Sequence, residues 1–119
     1  MDIFTAIKRN DSNAVLDFIK TRSDLNERDQ NGMTALMHAV DNQNASIVQL
    51  LLKAKVDIDL VDKYGQTALM LASGRGNIQI VRLLLASHAN TELVSRSKAT
   101  AFDFANENGR KEIAALLKK

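Results

Sequence analysis

A repeat of 33 residues is the sequence feature that most constrains the fold. Segments 29–61 and 62–94 share 15 identical residues when aligned without gaps, and the flanking stretches keep the same step. The 119 residues therefore divide into units 1–28, 29–61, 62–94 and 95–119. Periods of this length are typical of solenoids, in which each unit buries its apolar face only against its neighbours. The repeat predicts an elongated stack within one domain.

Each full unit reads as a turn followed by two short helices. A turn that begins with Asp and ends with Gly opens the unit, and a threonine suited to helix capping follows. Two segments then follow, and in each of them apolar residues recur at helical spacing. We expect an all-α chain with turns near 29–33, 62–66 and 95–99 and no β-sheet beyond hairpin fragments. The positions expected to be buried are Leu36, Ala39, Val48, Leu51, Leu69, Ala72, Val81 and Leu84.

The ends of the first helices carry residues suited to left-handed backbone. These residues are Asn10, Gln43, Gly76 and Gly109. Gly and Asn adopt this conformation most readily, so Gln43 is the least comfortable of the four. We interpret the Gly-Arg-Gly sequence that ends at Gly76 as a helix end. It is not a phosphate loop, because no strand precedes it and a third glycine is missing.

The first and last units look like caps of the stack. Asp17 replaces the leucine of later units, and Ser95 and Lys98 replace the turn Asp and Gly. Thr100 and Asp103 have the spacing of a capping box. Polar outer faces at both ends are what a finite stack needs. We expect a complete domain of four units, two full and two capping, with no second domain or linker.

The pattern Asp-x-x-Gly-x-Thr-Ala-Leu-Met-x-Ala, followed by Ile-Val-x-Leu-Leu-Leu, resembles the ankyrin repeat across essentially the whole chain. The resemblance implies an ankyrin-repeat solenoid of helix-turn-helix units with protruding β-turn or hairpin loops. The chain departs from the family at two positions of the motif. Alanines replace the proline at Ala35, Ala68 and Ala101, and the histidine that ties neighbouring loops together is replaced by Met37, Met70 and Asp103.

The resemblance also implies a function, since ankyrin repeats bind proteins in a concave groove of turn tips and first helices. Equivalent turn-tip positions here are Gln30, Asn31, Met33, Lys63, Tyr64, Gln66, Arg96, Ser97 and Ala99. Equivalent helix positions are Lys8, Arg9, Asp41, Asn42, Gly74, Arg75, Glu107 and Asn108. These positions vary between units, whereas the apolar stripe does not. The set has net charge +3, which favours an acidic segment of a protein partner.

Within this groove we select candidate contact residues. They are Met33, Asp41, Asn42, Lys63, Tyr64, Gln66, Arg75, Arg96, Glu107 and Asn108. Met33 and Tyr64 are large apolar groups at positions that the folding pattern leaves free. Tyrosine is enriched among residues that dominate binding energy, so Tyr64 is the predicted centre of the site. The alternative is a structural or inhibitory subunit that blocks a partner's active site.

Other chemistries lack the residues that they need. The chain has no cysteine, and His38 and His88 fall at different places in the repeat, so neither a metal site nor a catalytic pair is expected. We interpret Asp57, Asp59 and Asp62 as solvated turn carboxylates, because the glycine and distal glutamate of a calcium loop are missing. We expect no enzymatic activity and no cofactor.

The charge pattern and the apolar runs argue against nucleic-acid and membrane partners. The formal net charge is only +2, the basic residues are dispersed, and no basic groove with stacking aromatics is visible. No apolar stretch is long enough to span a bilayer, and the N-terminus lacks the order of a signal peptide. We expect a cytoplasmic monomer.

Overall fold

In the computed structural model, which describes residues 2–21 and 24–118, eight α-helices form four consecutive pairs. The first helices of the pairs are α1 (Ile3–Lys8), α3 (Ala35–Asp41), α5 (Ala68–Arg75) and α7 (Ala101–Glu107). The second helices are α2 (Ser12–Lys20), α4 (Ala45–Lys53), α6 (Ile78–Ala86) and α8 (Lys111–Leu117). Within the described ranges no strand occurs, which confirms the all-α prediction.

The helix pairs stack in two layers. Each first helix packs against the first helices of the adjacent units, and the second helices do the same on the other side. The molecule measures 39 × 25 × 22 Å along its principal axes. This elongated shape follows from the repeat, because each pair can bury its apolar stripe only between its two neighbours.

The buried core follows the repeat. Each of the eight positions expected to be buried is 2 % exposed or less. Ala39 and Ala72 are fully buried, and both lie in the layer where first helices approach one another. Burying one leucine or valine stabilises the fold by about 1.5–3 kcal/mol. The core is therefore a series of thin aliphatic layers between the units.

The helix ends agree with the expected capping. The hydroxyls of Thr34, Thr67 and Thr100 each accept the amide hydrogen of the third residue of their helix. Asp103 completes the capping box by accepting the Thr100 amide hydrogen at 2.9 Å. All four residues expected in left-handed backbone adopt it, with φ from 55° at Gln43 to 82° at Gly76.

Phe102, near the C-terminal end of the stack, is only partly buried, although it occupies the position of the buried Leu36 and Leu69. It lines a cavity of about 460 Å³ together with Leu117 and the polar residues Thr91, Glu92, Thr100 and Lys118. The face expected to be polar at this end therefore includes a partly exposed aromatic ring.

Ser73 interrupts the apolar layers. It is 0 % exposed and lies where the first two units have Ile7 and Val40. Its hydroxyl has no hydrogen-bond partner. A buried polar group without a partner costs about 1–3 kcal/mol of stability. Ser73 is therefore a weak point in the layer between the third unit and its neighbours.

We expect Ser73→Ala to raise the free energy of unfolding by about 1 kcal/mol, because the unpaired hydroxyl is removed. Urea denaturation measures the change. Ser46→Ala is the matched control, since Ser46 is exposed in α4 and reports only the higher helix propensity of alanine. An equal gain in both variants would contradict the assignment of a penalty to the buried hydroxyl.

Candidate functional site

The turn tips of the last three units form one continuous ladder. The Lys63 amide donates a hydrogen bond to the Asn31 carbonyl oxygen at 3.0 Å, and the Arg96 amide donates to the Tyr64 carbonyl oxygen at 3.0 Å. Each turn is also closed internally, as by the bond from the Gly65 amide to the Asp62 carbonyl at 3.0 Å. The loops are therefore tied together by backbone bonds, although the histidine of the family motif is absent.

Close approach of the turns requires glycine. Gly32 and Gly65 have φ of +75° and +73°, and a Cβ atom on either would lie 3.0 Å from the amide nitrogen of the next turn. Such a distance is shorter than van der Waals contact, so an alanine would push the turns apart. Lys98 takes the glycine's position in the turn of the fourth unit with φ of 67°.

Aspartate side chains stabilise the turns and loops by accepting hydrogen bonds from backbone amides. Asp62 is only 9 % exposed, and its Oδ1 accepts the amide hydrogens of Tyr64 and Gln66, each at 2.9 Å. The interpretation of Asp62 as a solvated carboxylate is wrong, because this hydrogen bonding draws it inward. Asp57 and Asp59 accept backbone amide hydrogens from Asp59 and Asn90 in the returning loops.

The first of these turns is anchored to its own helix. His38 Nε2 lies 2.7 Å from Asp29 Oδ2. The centre of the His38 ring lies 5.3 Å from the centre of the Phe4 ring. Burial raises the pKa of the Asp29 carboxyl, but hydrogen bonds from His38 and from the Met33 and Asn31 amides outweigh it. The pKa is held below its usual range. His38 therefore ties the turn to α3.

The candidate residues on the first helices make different contacts. Arg75 Nε donates to Asp41 Oδ1 at 3.0 Å and so joins α5 to α3. The Asn42 side chain donates to the Ile7 carbonyl oxygen at 2.8 Å, which joins α3 to α1. Asn108 instead bonds within its own helix, to the Phe104 carbonyl oxygen at 2.7 Å. Interactions across units therefore hold Asp41, Asn42 and Arg75 in fixed positions.

Tyr64 is the most exposed large hydrophobic side chain of the described residues, at 57 %. Lys63 Nζ lies 5.1 Å from the centre of the Tyr64 ring and 3.1 Å from Asn31 Oδ1. The first distance suits a cation–π interaction and the second a hydrogen bond, and together they orient the lysine beside the ring. The tyrosine ring thus projects from a turn whose backbone is bonded on both sides.

Met33 does not match its expected environment. Its side chain is partly buried and packs against the hydrophobic core. The expectation that it has no structural use is therefore wrong. The equivalent positions carry Gln66 and Ala99, which are also partly buried. The turn position shared by Met33, Gln66 and Ala99 therefore faces the helices more than the solvent.

The remaining candidate positions differ in exposure. Asp41 is half-buried, as Met33 and Gln66 are. The exposed ones are Asn42, Lys63, Tyr64, Arg75, Arg96, Glu107 and Asn108. Glu107 and Asn108 lie at the end of α7. With Asp41 paired to Arg75, the predicted groove positions leave Lys8, Arg9, Lys63 and Arg96 against Glu107 without an ion pair among the residues that the structure describes.

One row of first-helix residues beside the predicted groove is missing from the sequence candidates. Thr5 and Lys8 of α1 line a cavity of about 250 Å³ together with residues of the second unit's turn. Lys8 belongs to the predicted groove, but Thr5 and its equivalents do not. The equivalents are His38, Leu71 and Phe104, all half-buried. Their variation from unit to unit is the signal that identifies them.

The structure holds few features of other functional classes. Among the described residues, no three His, Asp or Glu side chains converge on a possible metal site. None of the described helices combines the length and the apolar character needed to cross a membrane. The glycine-rich segment at Gly76 is the left-handed end of α5.

Two comparisons bear on the relatives of this chain. A family model described as ankyrin repeats (3 copies) matches residues 3–95 and 55–119. The two matches overlap and together cover almost every residue. No curated protein sequence matches the chain significantly.

Proposed function

The chain belongs to the ankyrin-repeat family, and on that premise we propose that its concave face is a protein-binding groove. Ankyrin repeats are generally protein–protein interaction modules. Members of the family are typically binding modules without catalytic activity. The groove of this chain consists of the turn tips and the exposed side of the first helices, with Tyr64 near its centre.

The observation that carries this proposal is the exposure of Tyr64 on a rigid turn. Its side chain is 57 % exposed, while backbone bonds join the turn to both neighbouring turns. An exposed aromatic ring offers a wide contact area and a hydroxyl for few lost rotamers. A turn that is already ordered loses little conformational entropy when a partner binds.

The charges around Tyr64 favour an acidic partner segment. Lys63 precedes Tyr64 in the sequence, Arg96 is joined to Tyr64 by the ladder of turns, and both side chains are exposed. Asp62 lies in the same turn, but its carboxylate is buried and occupied by backbone amides. Complementary charge of this kind acts on association rate and specificity more than on affinity.

We expect Tyr64→Ala to weaken partner binding by about 2 kcal/mol, which is roughly a thirtyfold increase in Kd. The melting temperature should change little, because most of the ring is outside the core. Leu116→Ala is the control, since Leu116 is 41 % exposed on α8, away from the turns. Titration of the partner against both variants measures the difference.

The partner for this titration is identified by photo-crosslinking. A photoreactive phenylalanine analogue is placed at position 64 in one preparation and at position 116 in another. The groove proposal requires a partner that is captured from position 64 and not from position 116, and that binds Tyr64→Ala more weakly. Equal affinity for the wild type and Tyr64→Ala would remove Tyr64 from the site.

A further inference from the structure

A furrow on the other side of the molecule is distinct from the groove. Between the ends of α4 and α6 lie two adjoining cavities of about 410 and 270 Å³, which share Leu52, Lys55 and Ser87. We call this region the outer furrow. Its lining comes from the second helices and the residues that follow them, and none of it belongs to the candidate groove.

Two residues of the outer furrow hold an unfavourable backbone conformation. Lys55 and His88 have φ of 64° and 67°, and they occupy equivalent positions after α4 and α6. Left-handed backbone at a helix end favours glycine, and a residue with a Cβ atom loses about 1 kcal/mol or more there. Lys98 holds the same conformation outside the furrow and therefore offers a matched position for comparison.

The furrow is positively charged and partly apolar. No aspartate or glutamate lines either cavity, whereas Lys53, Lys55 and His88 do. In the part of the chain that the structure describes, neither lysine ammonium has a hydrogen-bond or ion-pair partner. Leu52 and Leu83 supply an apolar wall between the two helices.

The nearest carboxylates in the sequence form no ion pair with these lysines in the part of the chain that the structure describes. Asp57 and Asp59 come two and four residues after Lys55, and their Oδ1 atoms accept amide hydrogens of the loop backbone at 3.3 and 3.0 Å. The ammonium groups of Lys53 and Lys55 can therefore pair with an external anion. Apolar walls beside free cations complement a ligand that carries both carboxylates and aliphatic groups.

We propose that the outer furrow binds an acidic peptide segment in which carboxylates alternate with aliphatic side chains. The carboxylates pair with Lys53 and Lys55, and the aliphatic groups lie on Leu52 and Leu83. The cavity of about 410 Å³ falls within the range of sites that enclose small ligands, about 300–1,000 Å³, so it accommodates a few side chains. This surface is additional to the groove and does not depend on it.

The strained lysine provides a matched pair of variants. Lys55→Gly removes a positive charge from the furrow and relieves the left-handed strain. Lys98→Gly makes the same chemical change at φ of 67° in the last turn, outside the furrow. Both variants should therefore raise Tm by a few degrees. Only Lys55→Gly should lose binding.

The probe is a short acetylated peptide in which glutamates alternate with leucines, titrated into the ¹⁵N-labelled protein and followed by NMR. We expect shifts at the amides of Lys55, Ser87 and His88, and an affinity that falls with added salt. Lys55→Gly should weaken binding about three- to fivefold, the range of one exposed charge pair. Lys98→Gly and Tyr64→Ala should bind as the wild type does.

Two further measurements separate the alternatives. Lys55→Gln keeps the strain and loses the charge, so it should bind weakly without the rise in Tm. A peptide with glutamine in place of glutamate should not bind. The proposal is overturned if the acidic peptide fails to bind the wild type, if its shifts lie outside the furrow, or if Lys55→Gly and Lys98→Gly have equal affinities.

Discussion

Gly65→Ala is expected to lower the free energy of unfolding by about 2–3 kcal/mol. Left-handed backbone at φ +73° costs an alanine about 1–2 kcal/mol. The new Cβ atom would also lie 3.0 Å from the Arg96 amide nitrogen. Relief of this contact moves the two turns apart and weakens the hydrogen bond between Arg96 and Tyr64, which contributes about 1 kcal/mol.

Gly109→Ala is the control for this prediction. Gly109 has nearly the same φ, +72°, but no atom lies within 4 Å of the Cβ position. It should therefore show only the backbone cost, about 1–2 kcal/mol. Urea denaturation of both variants gives the two values. If they are equal, close approach of the turns makes no contribution, and the ladder of turns is less tightly packed than described.

Ala72→Leu is expected to destabilise the protein by about 1–3 kcal/mol, because the longer side chain overpacks a filled layer. Ala72 is 0 % exposed in α5, which packs against both α3 and α7. Because Ala72 is fully buried between these helices, we expect the additional carbon atoms to displace a neighbouring helix. The same change at the equivalent Ala39 should have a similar effect.

Ala115→Leu serves as the matched control for Ala72→Leu. Ala115 is exposed in α8, so leucine there adds surface without overpacking and should change stability little. Thermal or urea unfolding of the two variants separates packing from side-chain chemistry. A Tm of Ala72→Leu equal to that of the wild type would contradict the assignment of Ala72 to a filled interface.

Much of the fold was predictable because the sequence repeats its own local signals. Thr67 caps α5 and Gly76 ends it in left-handed backbone, and both signals depend on residues within the same helix. The buried positions were predictable for a related reason. A residue such as Leu69 recurs at a fixed step, and each unit buries that position against its neighbours. Phe102 shows a limit of this guide, because it recurs at the position of Leu36 and Leu69 and yet is only partly buried.

The candidate site was less predictable because it depends on contacts between units. Sequence position places Asp41 and Arg75 on successive first helices, but it does not show that their side chains meet at 3.0 Å. It also treats Met33 and Tyr64 alike. The structure shows that Met33 packs on the core whereas Tyr64 projects outward, because alternate residues of a turn face in different directions.

The sequence by itself determined the helices, their caps, the order of the units and the buried stripe, since each of these follows from residues a few positions apart and from their recurrence. Only the tertiary structure decided the burial of Asp62, the pairing of His38 with Asp29 and the outer furrow beside Lys55. These features depend on where side chains lie once helices and turns have packed. A pattern of residue types does not contain those distances, because small shifts in packing decide whether two groups meet or remain apart.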